Sequence, residues 1–306
     1  MTLPEGYSKA GPCQYYKLKR SLYGLKQANR QWKHELTTQL SQRKYILDIV
    51  NDMKLNEVKH APTPLVSDWS SYDPNSPMFH DPSQYRRLVG RLLYLDFTRL
   101  DVTYYVHLLS QFLQQPIVSQ WNVVLHVVKY LKGTANYGLF YSANTDLQLQ
   151  AYCDSDWAKC PHTRRSTSGY CITIGGSLVS RKSKKQHTIA KSSNEAEYRS
   201  AASTVCEIKW LVYVLKDFGV SVSQLVPLFC DNKSVITMIE NPVFHERTKH
   251  IAFDCHFIRD HFKVGFIKPH YILSRQQLAD VFTKPLPAYL LADLLSKIHF
   301  SSVNAS

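Results

Sequence analysis

Four acidic residues are set where phosphoryl chemistry could use them. Asp154 closes the alternating run LQLQAYCD, Glu197 lies in the first turns of a long amphipathic stretch, Asp231 closes the apolar run VPLFC, and Asp280 opens the last helix-periodic segment. Hydrolysing a phosphodiester requires an activated water and relief of charge on the attacking and leaving oxygens. Two divalent ions about 3.5–4 Å apart meet both needs. Magnesium takes hard oxygen ligands, and a few carboxylates leave room in its shell for water and phosphate. Singly, an aspartate at a strand end or helix start is a turn former or cap. The order of the set gives it weight: two acids at strand C-termini and two near helix N-termini match the ligand edge of open α/β sheets. Asp156 competes for the first position. Asp154 is preferred because it continues the strand, whereas Asp156 falls past its end.

Residues 159 to 191 carry Lys159, Arg164, Arg165, Arg181, Lys182, Lys184, Lys185 and Lys191 with no acid among them. Such a run is either a solvated hairpin or a track for a phosphate backbone beside the acids. Trp157, Tyr170 and His187 interleave with it and could stack on sugars or bases, although core packing explains the first two as well.

Positioning these groups falls to a recognisable order of elements. Leu147, Leu149 and Ala151 alternate as in a half-buried strand; strands at 169–174 and 177–183 flank a Gly175-Gly176 hairpin turn, and 186–190 reads as a fourth strand-like piece. Ser192 with Glu195 has capping-box spacing, apolar residues recur from Tyr198 to Leu215, and Gly219 offers a stop. The strand VPLFC, helices to Glu240 and over 248–263, a strand at 266–273 and a helix from about Arg275 complete an α/β layer of helices on a mixed sheet. Upstream, residues 1–60 look too short to fold alone, the Pro/Ser/Asp-rich stretch 61–83 reads as a linker or covering loop, and 84–142 reads as two helices, with Leu88, Leu92 and Leu95 on one and Trp121, Leu125, Val128 and Leu131 on the other.

The 306 residues, 44% hydrophobic, suffice for one large or two modest domains, and the net charge of +13 favours a polyanionic partner. No apolar run reaches eighteen residues and no secretory signal opens the chain, so an intracellular protein, in cytoplasm or nucleus, is expected, with no membrane partner. Seven scattered cysteines without a C-x-x-C pair argue against a disulfide framework or a zinc site.

The segments AYCDSDWAKC, RRSTSGYCITIGGSLVSRKSKKQHTIAKSSNEAEYRSAA, PLFCDNKSVITMIENPVFHERTKHI, HFIRDHF and QLADVFTKPL resemble the ribonuclease H region of copia-type LTR retrotransposon Pol polyproteins. Upstream, YKLKRSLYGLKQANRQWKHEL, APTPL, YRRLVGRLLYLDFTRLDVTYYVHLLSQFL and VVKYLKGTANYGLFY resemble pieces of the same polyprotein's reverse transcriptase. The resemblance implies a ribonuclease H-like mixed sheet flanked by helices over 143–300, preceded by a mostly helical thumb or connection remnant. It also implies two Mg²⁺ ions, or Mn²⁺, on the same four acids, with Asp154 bridging both. Glu197 rather than Glu195 aligns with the family's helix glutamate.

An RNA/DNA hybrid, or another nucleic acid, is the implied partner, together with other retrotransposon proteins. Ser193 and Asn194 fall where related enzymes meet the hybrid's minor groove, and a 2′-hydroxyl contact there would tell RNA from DNA. Arg181, Lys184 and Lys185 are expected on the backbone; His250, His256 and Arg259 would assist near the substrate or simply cap and pack their helix. The sequence departs from the family at Asn29, Arg181, Lys191 and Ala252, where Pro, Trp, a small or apolar residue and an acid are usual. More tellingly, Leu40 runs straight into Ser41-Gln42-Arg43-Lys44 with no Asp-Asp pair anywhere, so the polymerase centre is expected to have been deleted. Two readings follow: a hybrid-cleaving ribonuclease, or a non-catalytic nucleic-acid-binding relic.

Overall fold

The computed structural model describes residues 35–65, 73–141, 146–160, 163–220, 225–241 and 252–302. In the upstream part the helices are α1 (Glu35–Asp52), α2 (Pro82–Leu95), α3 (Thr103–Leu109) and α4 (Val118–Gly133), followed by a short strand β1 (Tyr137–Leu139). Helix α2 starts where its residues dictate: the Asp81 side chain accepts from the backbone of Ser83 (3.0 Å) and Gln84 (2.9 Å), with Pro82 at the first helical position. Leu88, Leu92 and Leu95 are buried, as their spacing predicts, against Ile46 and Ile49 of α1 and Val124, Val128 and Leu131 of α4.

One expectation for this part needs correction: helix α3 is a third helix in the span read as two. In the Pro/Ser/Asp-rich stretch, read as a linker or covering loop, Ala61, Thr63, Leu65 and Phe79 are buried and Met78 bridges to Ile117. Apolar side chains among the prolines offset the loss of regular hydrogen bonds there.

The second part is a five-stranded mixed sheet in the order β4-β3-β2-β5-β6, made of β2 (Leu149–Asp156), β3 (Thr167–Ile174), β4 (Ser177–Lys185), β5 (Val226–Cys230) and β6 (Ile267–Tyr271). Strands β2, β3 and β4 form an antiparallel meander, while β5 and β6 run parallel to β2. Gly175 and Gly176, at φ 54° and 79°, make the tight β3–β4 turn that residues with a Cβ disfavour. Helix α5 (Ser193–Asp217) lies on one face, its Tyr198, Ala201, Val205 and Ile208 packed on Leu149, Ala151, Cys153 and Ile172. It ends as expected at Gly219 (φ 73°), with the Val220 N–H reaching Leu215 O at 2.9 Å. Helices α6 (Lys233–Glu240) and α7 (Ala252–Lys263) complete that layer.

The mixed α/β sheet with packed helices expected over 143–300 is therefore present, with differences at its ends. Residues 186–190 are not a strand, because β4 has already ended at Lys185 and Gln186 turns its amide inward to Ser168 Oγ (2.8 Å) and Ala196 O (3.0 Å). Asp280 does not open an α-helix: it lies in a 3₁₀ turn, Leu278–Phe282, and the last helix α8 (Ala288–Lys297) starts only after Pro285 and Pro287. A closing strand β7 (Phe300–Ser302) pairs antiparallel with β1, tying the chain's end to the upstream part.

That tie is reinforced at the edge of the sheet. His107 of α3 approaches Ser183 O of β4 (2.7 Å) through Nδ1 and Asp96 Oδ2 (3.3 Å) through Nε2. Arg181 of β4 donates through Nε to Thr103 Oγ1 (3.3 Å) and through Nη2 to the Asp96 carbonyl. Arg99, fully buried, binds Asp101 (2.6 Å) and Thr134 O (2.8 Å) beside the rings of Tyr130 and Phe300. No helix among the described residues is long and apolar enough to cross a membrane.

Candidate metal centre

Asp154 does not end its strand: β2 runs on to Asp156. The period of two puts both aspartates on one face, so the argument that Asp156 points past the end fails. What separates them is packing. Asp154 is 2% exposed, and its strand neighbours are clamped by Ser200 of α5, whose hydroxyl donates to Asp154 O (2.8 Å) and Gly169 O (3.1 Å). The pairing of β2 with β5 covers Ala151 with Leu228 and Tyr152 with Phe229 and then stops. Beyond it the strands carry Cys153-Asp154 and Cys230-Asp231 into the crevice at the C-terminal edge of the parallel pair.

The remaining acids reach this crevice from two other elements. Carboxylate oxygens of Asp154, Asp231 and Asp280 lie within 4.8 Å of one another, and so do ligand atoms of Glu197, Cys230 and Asp231. All four expected acids thus meet in space. The two groups share Asp231, whereas the resemblance implied Asp154 as the shared member. Magnesium favours oxygen over sulfur, so the Cys230 thiol is not counted as a ligand. Asp156 belongs to neither group. Glu195, the alternative to Glu197, is engaged elsewhere: it accepts from the Lys191 N–H (2.7 Å) and pairs with Arg199 (2.6 Å).

The electrostatics are those of negative charge forced together. Burial pushes the Asp154 carboxyl up, against the pull of Lys284 and Thr283. Burial, then the neighbouring Asp154, pushes Asp280 up to about 8. Glu197 is driven well above the usual carboxylate range by burial, then by Asp154 and the groups beyond it, and its Oε2 has no hydrogen-bond partner among the described residues. An orphaned oxygen inside a cluster of hard donors fits a divalent cation, which would lower all these costs at once.

Several residues that sequence reasoning passed over complete the centre. Thr283 Oγ1 donates to Asp154 Oδ2, Ser274 Oγ donates to Asp231 Oδ2 (2.7 Å), and Gln277 Nε2 donates to Cys153 O (3.0 Å). The Lys284 ammonium lies 3.0 Å from Asp280 Oδ1 and 3.5 Å from Asp154 Oδ2. Its i+4 spacing from Asp280 was the available signal; the hydroxyls offered none.

The expected nucleic-acid residues divide. Lys184, on the outer strand β4, and Ser193, at the start of α5, are exposed. Asn194 accepts from Asn232 Nδ2 (2.9 Å), and Lys185 reaches Gln111 Oε1 (2.9 Å) and Cys160 Sγ (2.8 Å). The Arg181 guanidinium is turned to Asp96 and Thr103 in the joint between the two parts. Tyr170 is buried, but Trp157 is 46% exposed and donates to Ala190 O (3.0 Å). Arg259 is buried and donates to Met238 O (3.0 Å), which makes it a packing residue; His256 is exposed, and His250 lies outside the described residues.

No family model matches the chain. It is 39% identical over 259 residues to the retrovirus-related Pol polyprotein from transposon RE2 of Arabidopsis thaliana, covering 85% of this chain and 18% of that protein. It is 38% identical over 267 residues to the RE1 counterpart from the same plant, covering 87% and 18%. The chain therefore spans about a fifth of these relatives. Among solved structures, the N-terminal RNase H domain of a Mycobacterium tuberculosis protein, fused to maltose binding protein, aligns with a TM-score of 0.34 and 11% identity, covering 49% of this chain and 98% of that one. Over most of its length, then, the chain's homologues are retrovirus-related Pol polyproteins of copia-type transposons.

Proposed function

We propose that this chain is a ribonuclease of the H type that cuts the RNA strand of an RNA/DNA hybrid, with two divalent ions, Mg²⁺ or Mn²⁺, held by Asp154, Glu197, Asp231 and Asp280. The observation that carries the reading is the convergence of these four acids, from β2, α5, the end of β5 and the 3₁₀ turn, with their oxygens close enough to share cations. Bound there, the ions would supply Lewis-acid stabilisation to the attacking and leaving oxygens.

The protein's own contribution is placement. Thr283 and Ser274 fix the rotamers of Asp154 and Asp231 by hydrogen bonds, and Gln277 fixes the turn that carries Asp280. Lys184, Lys185 and Ser193, on the rim, support the backbone of a hybrid, and the Asn194–Asn232 pair offers amide groups to its minor groove. DNA synthesis is not assigned to the chain, because it has no Asp-Asp pair to hold a polymerase's ions. Other proteins of the same element are the natural partners for so small a part of a polyprotein.

The test is cleavage of a labelled RNA/DNA hybrid by the full chain in Mg²⁺. Cleavage that disappears in Asp154→Asn is expected. Absence of cleavage, or cleavage that survives Asp154→Asn, refutes the reading, and hybrid binding without turnover under any divalent ion replaces it with a non-catalytic binding role.

A further inference from the structure

The four acids have a companion of opposite sign. Lys284 follows Asp280 by four residues, and its ammonium lies between Asp280 Oδ1 (3.0 Å) and Asp154 Oδ2 (3.5 Å). Its stem is held by a rigid mount. The turn before it presses so closely on β3 that a Cβ at Gly169 would come within 2.5 Å of Thr283 Cγ2, and Thr283 itself is fully buried and bonded to Asp154. The side chain is 31% exposed, so the ammonium has an open route to solvent. Glu197, by contrast, has no basic partner among the described residues, and its Oε2 stands alone.

We propose that Lys284 is a positioning residue that acts as a tethered cation: it holds the Asp154–Asp280 place in the metal-free protein and gives that place up when a divalent ion enters. The inference rests on the metal-centre reading above and adds an order of events. The Glu197–Asp231 place, to which no ammonium is directly paired among the described residues, loads first. The Asp154–Asp280 place loads second and more weakly, because the entering ion must displace a partner already bonded to two of its ligands. Once displaced, the ammonium remains on its short tether at the rim, where an incoming phosphate would meet it. Lys284 thereby prevents two unpaired buried carboxylates from destabilising the fold before loading, at the expense of affinity for the second ion.

The test uses Mn²⁺ alone as probe, with the full chain and no nucleic acid. Binding isotherms should show a tight and a weak class of ion in the wild type. In Lys284→Met the weak class should tighten by on the order of tenfold, the scale on which a partly buried ion pair shifts an equilibrium, while the tight class stays put. Lys284→Arg, which keeps the charge, should bind Mn²⁺ no more tightly than the wild type. Because Lys284→Met removes the partner of two buried carboxylates and so costs stability, the wild type supplies a second readout: the Lys284 amine should resist acylation in metal-free protein and become labelled, by peptide mass spectrometry, once Mn²⁺ is added. Isotherms unchanged in Lys284→Met, or labelling indifferent to Mn²⁺, overturn the tethered-cation role and leave the metal centre standing. No Mn²⁺ bound by either protein overturns both.

Discussion

Gly169 pairs across the sheet with Asp154, and it is the position where one added methyl group tests the whole centre. Its backbone would accept alanine, since φ is not in the left-handed region, so any cost arises from contact alone. The new Cβ would meet Thr283 Cγ2 at 2.5 Å, Phe282 Cβ at 3.1 Å and Ala279 O at 3.3 Å. Ordinary contact begins near 3.4 Å, so the threonine methyl must retreat by 3.4 − 2.5 = 0.9 Å. Neither side yields easily. Residue 169 is fixed between β2 and β4, and Thr283 is fully buried on the same turn as Asp280. Overpacking of this kind costs about 1–3 kcal/mol, which for a domain of this size lowers Tm by roughly 2–12 °C.

Function should suffer more than stability. The segment that must move carries Asp280, Thr283 and Lys284, and a displacement of about 1 Å in a catalytic array lowers turnover by on the order of a hundredfold. Thermal melts, Mn²⁺ isotherms and hybrid cleavage on Gly169→Ala measure the three effects. The companion variant Thr283→Ser removes the offending methyl and keeps the hydroxyl that bonds Asp154, so Gly169→Ala/Thr283→Ser should recover most of both losses. Gly169→Ala with wild-type melting, or a double variant no better than the single, would refute the claim that this contact sets the position of the acids.

Three further outcomes follow from the same geometry. Glu197→Gln replaces a buried carboxyl whose charged form burial disfavours and whose Oε2 lacks a partner among the described residues, so metal-free Tm should rise while hybrid cleavage falls about a hundredfold or more; a lower Tm would show that Glu197 is already compensated. His107 has its pKa held up, against burial, by Asp96 and the Ser183 carbonyl, with Arg181 opposing. Its stabilisation is therefore complete below its unfolded value of about 6.5 and lost as pH rises through the higher folded value, so the wild type's Tm advantage over His107→Gln should shrink from pH 6 to pH 8.5; an advantage that grows instead rejects the assignment. Arg99→Met leaves Asp101 buried and unpaired, and should cost about 3–5 kcal/mol in urea unfolding; a loss under about 1 kcal/mol would mean that water reaches the pair.

The sheet was legible because its signals are local. Leu149 and Ala151 alternate, Gly175-Gly176 can only be a tight turn, and Ser192 and Gly219 bracket α5, whose apolar spacing points Tyr198 to Ile208 at the sheet. The four acids were legible because strand ends and helix starts are where open α/β sheets gather ligands. What stayed hidden is non-local. Nothing near Asp154 says that β2 continues to Asp156, since an aspartate in the last strand turn looks like one that ends it. Nothing in the run from Lys159 to Lys191 separates Arg181, which reaches across to Asp96, from Lys184, which faces solvent. The β1–β7 pair joins residues more than 160 positions apart, and its three-residue strands carry no periodicity of their own.

Placing these acids together is unfavourable until cations arrive, so the fold must hold them there by other means. Burial and mutual repulsion raise Asp154, Glu197 and Asp280 together. The opposing groups sit on segments with separate anchors: Ser200 on α5, Gln277 and Thr283 on the 3₁₀ turn, and Ser274 just after β6. That turn belongs to the cluster of Leu278, Phe282, Leu294 and Phe300, which also takes in Leu100 from the upstream helices. Loosening the joint between the parts should therefore weaken the metal centre indirectly, through Phe282 and the turn it roots. On this view the upstream helices are part of the scaffold that keeps the acids in register, and the joint at Asp96, His107 and Arg181 bears on chemistry it never touches.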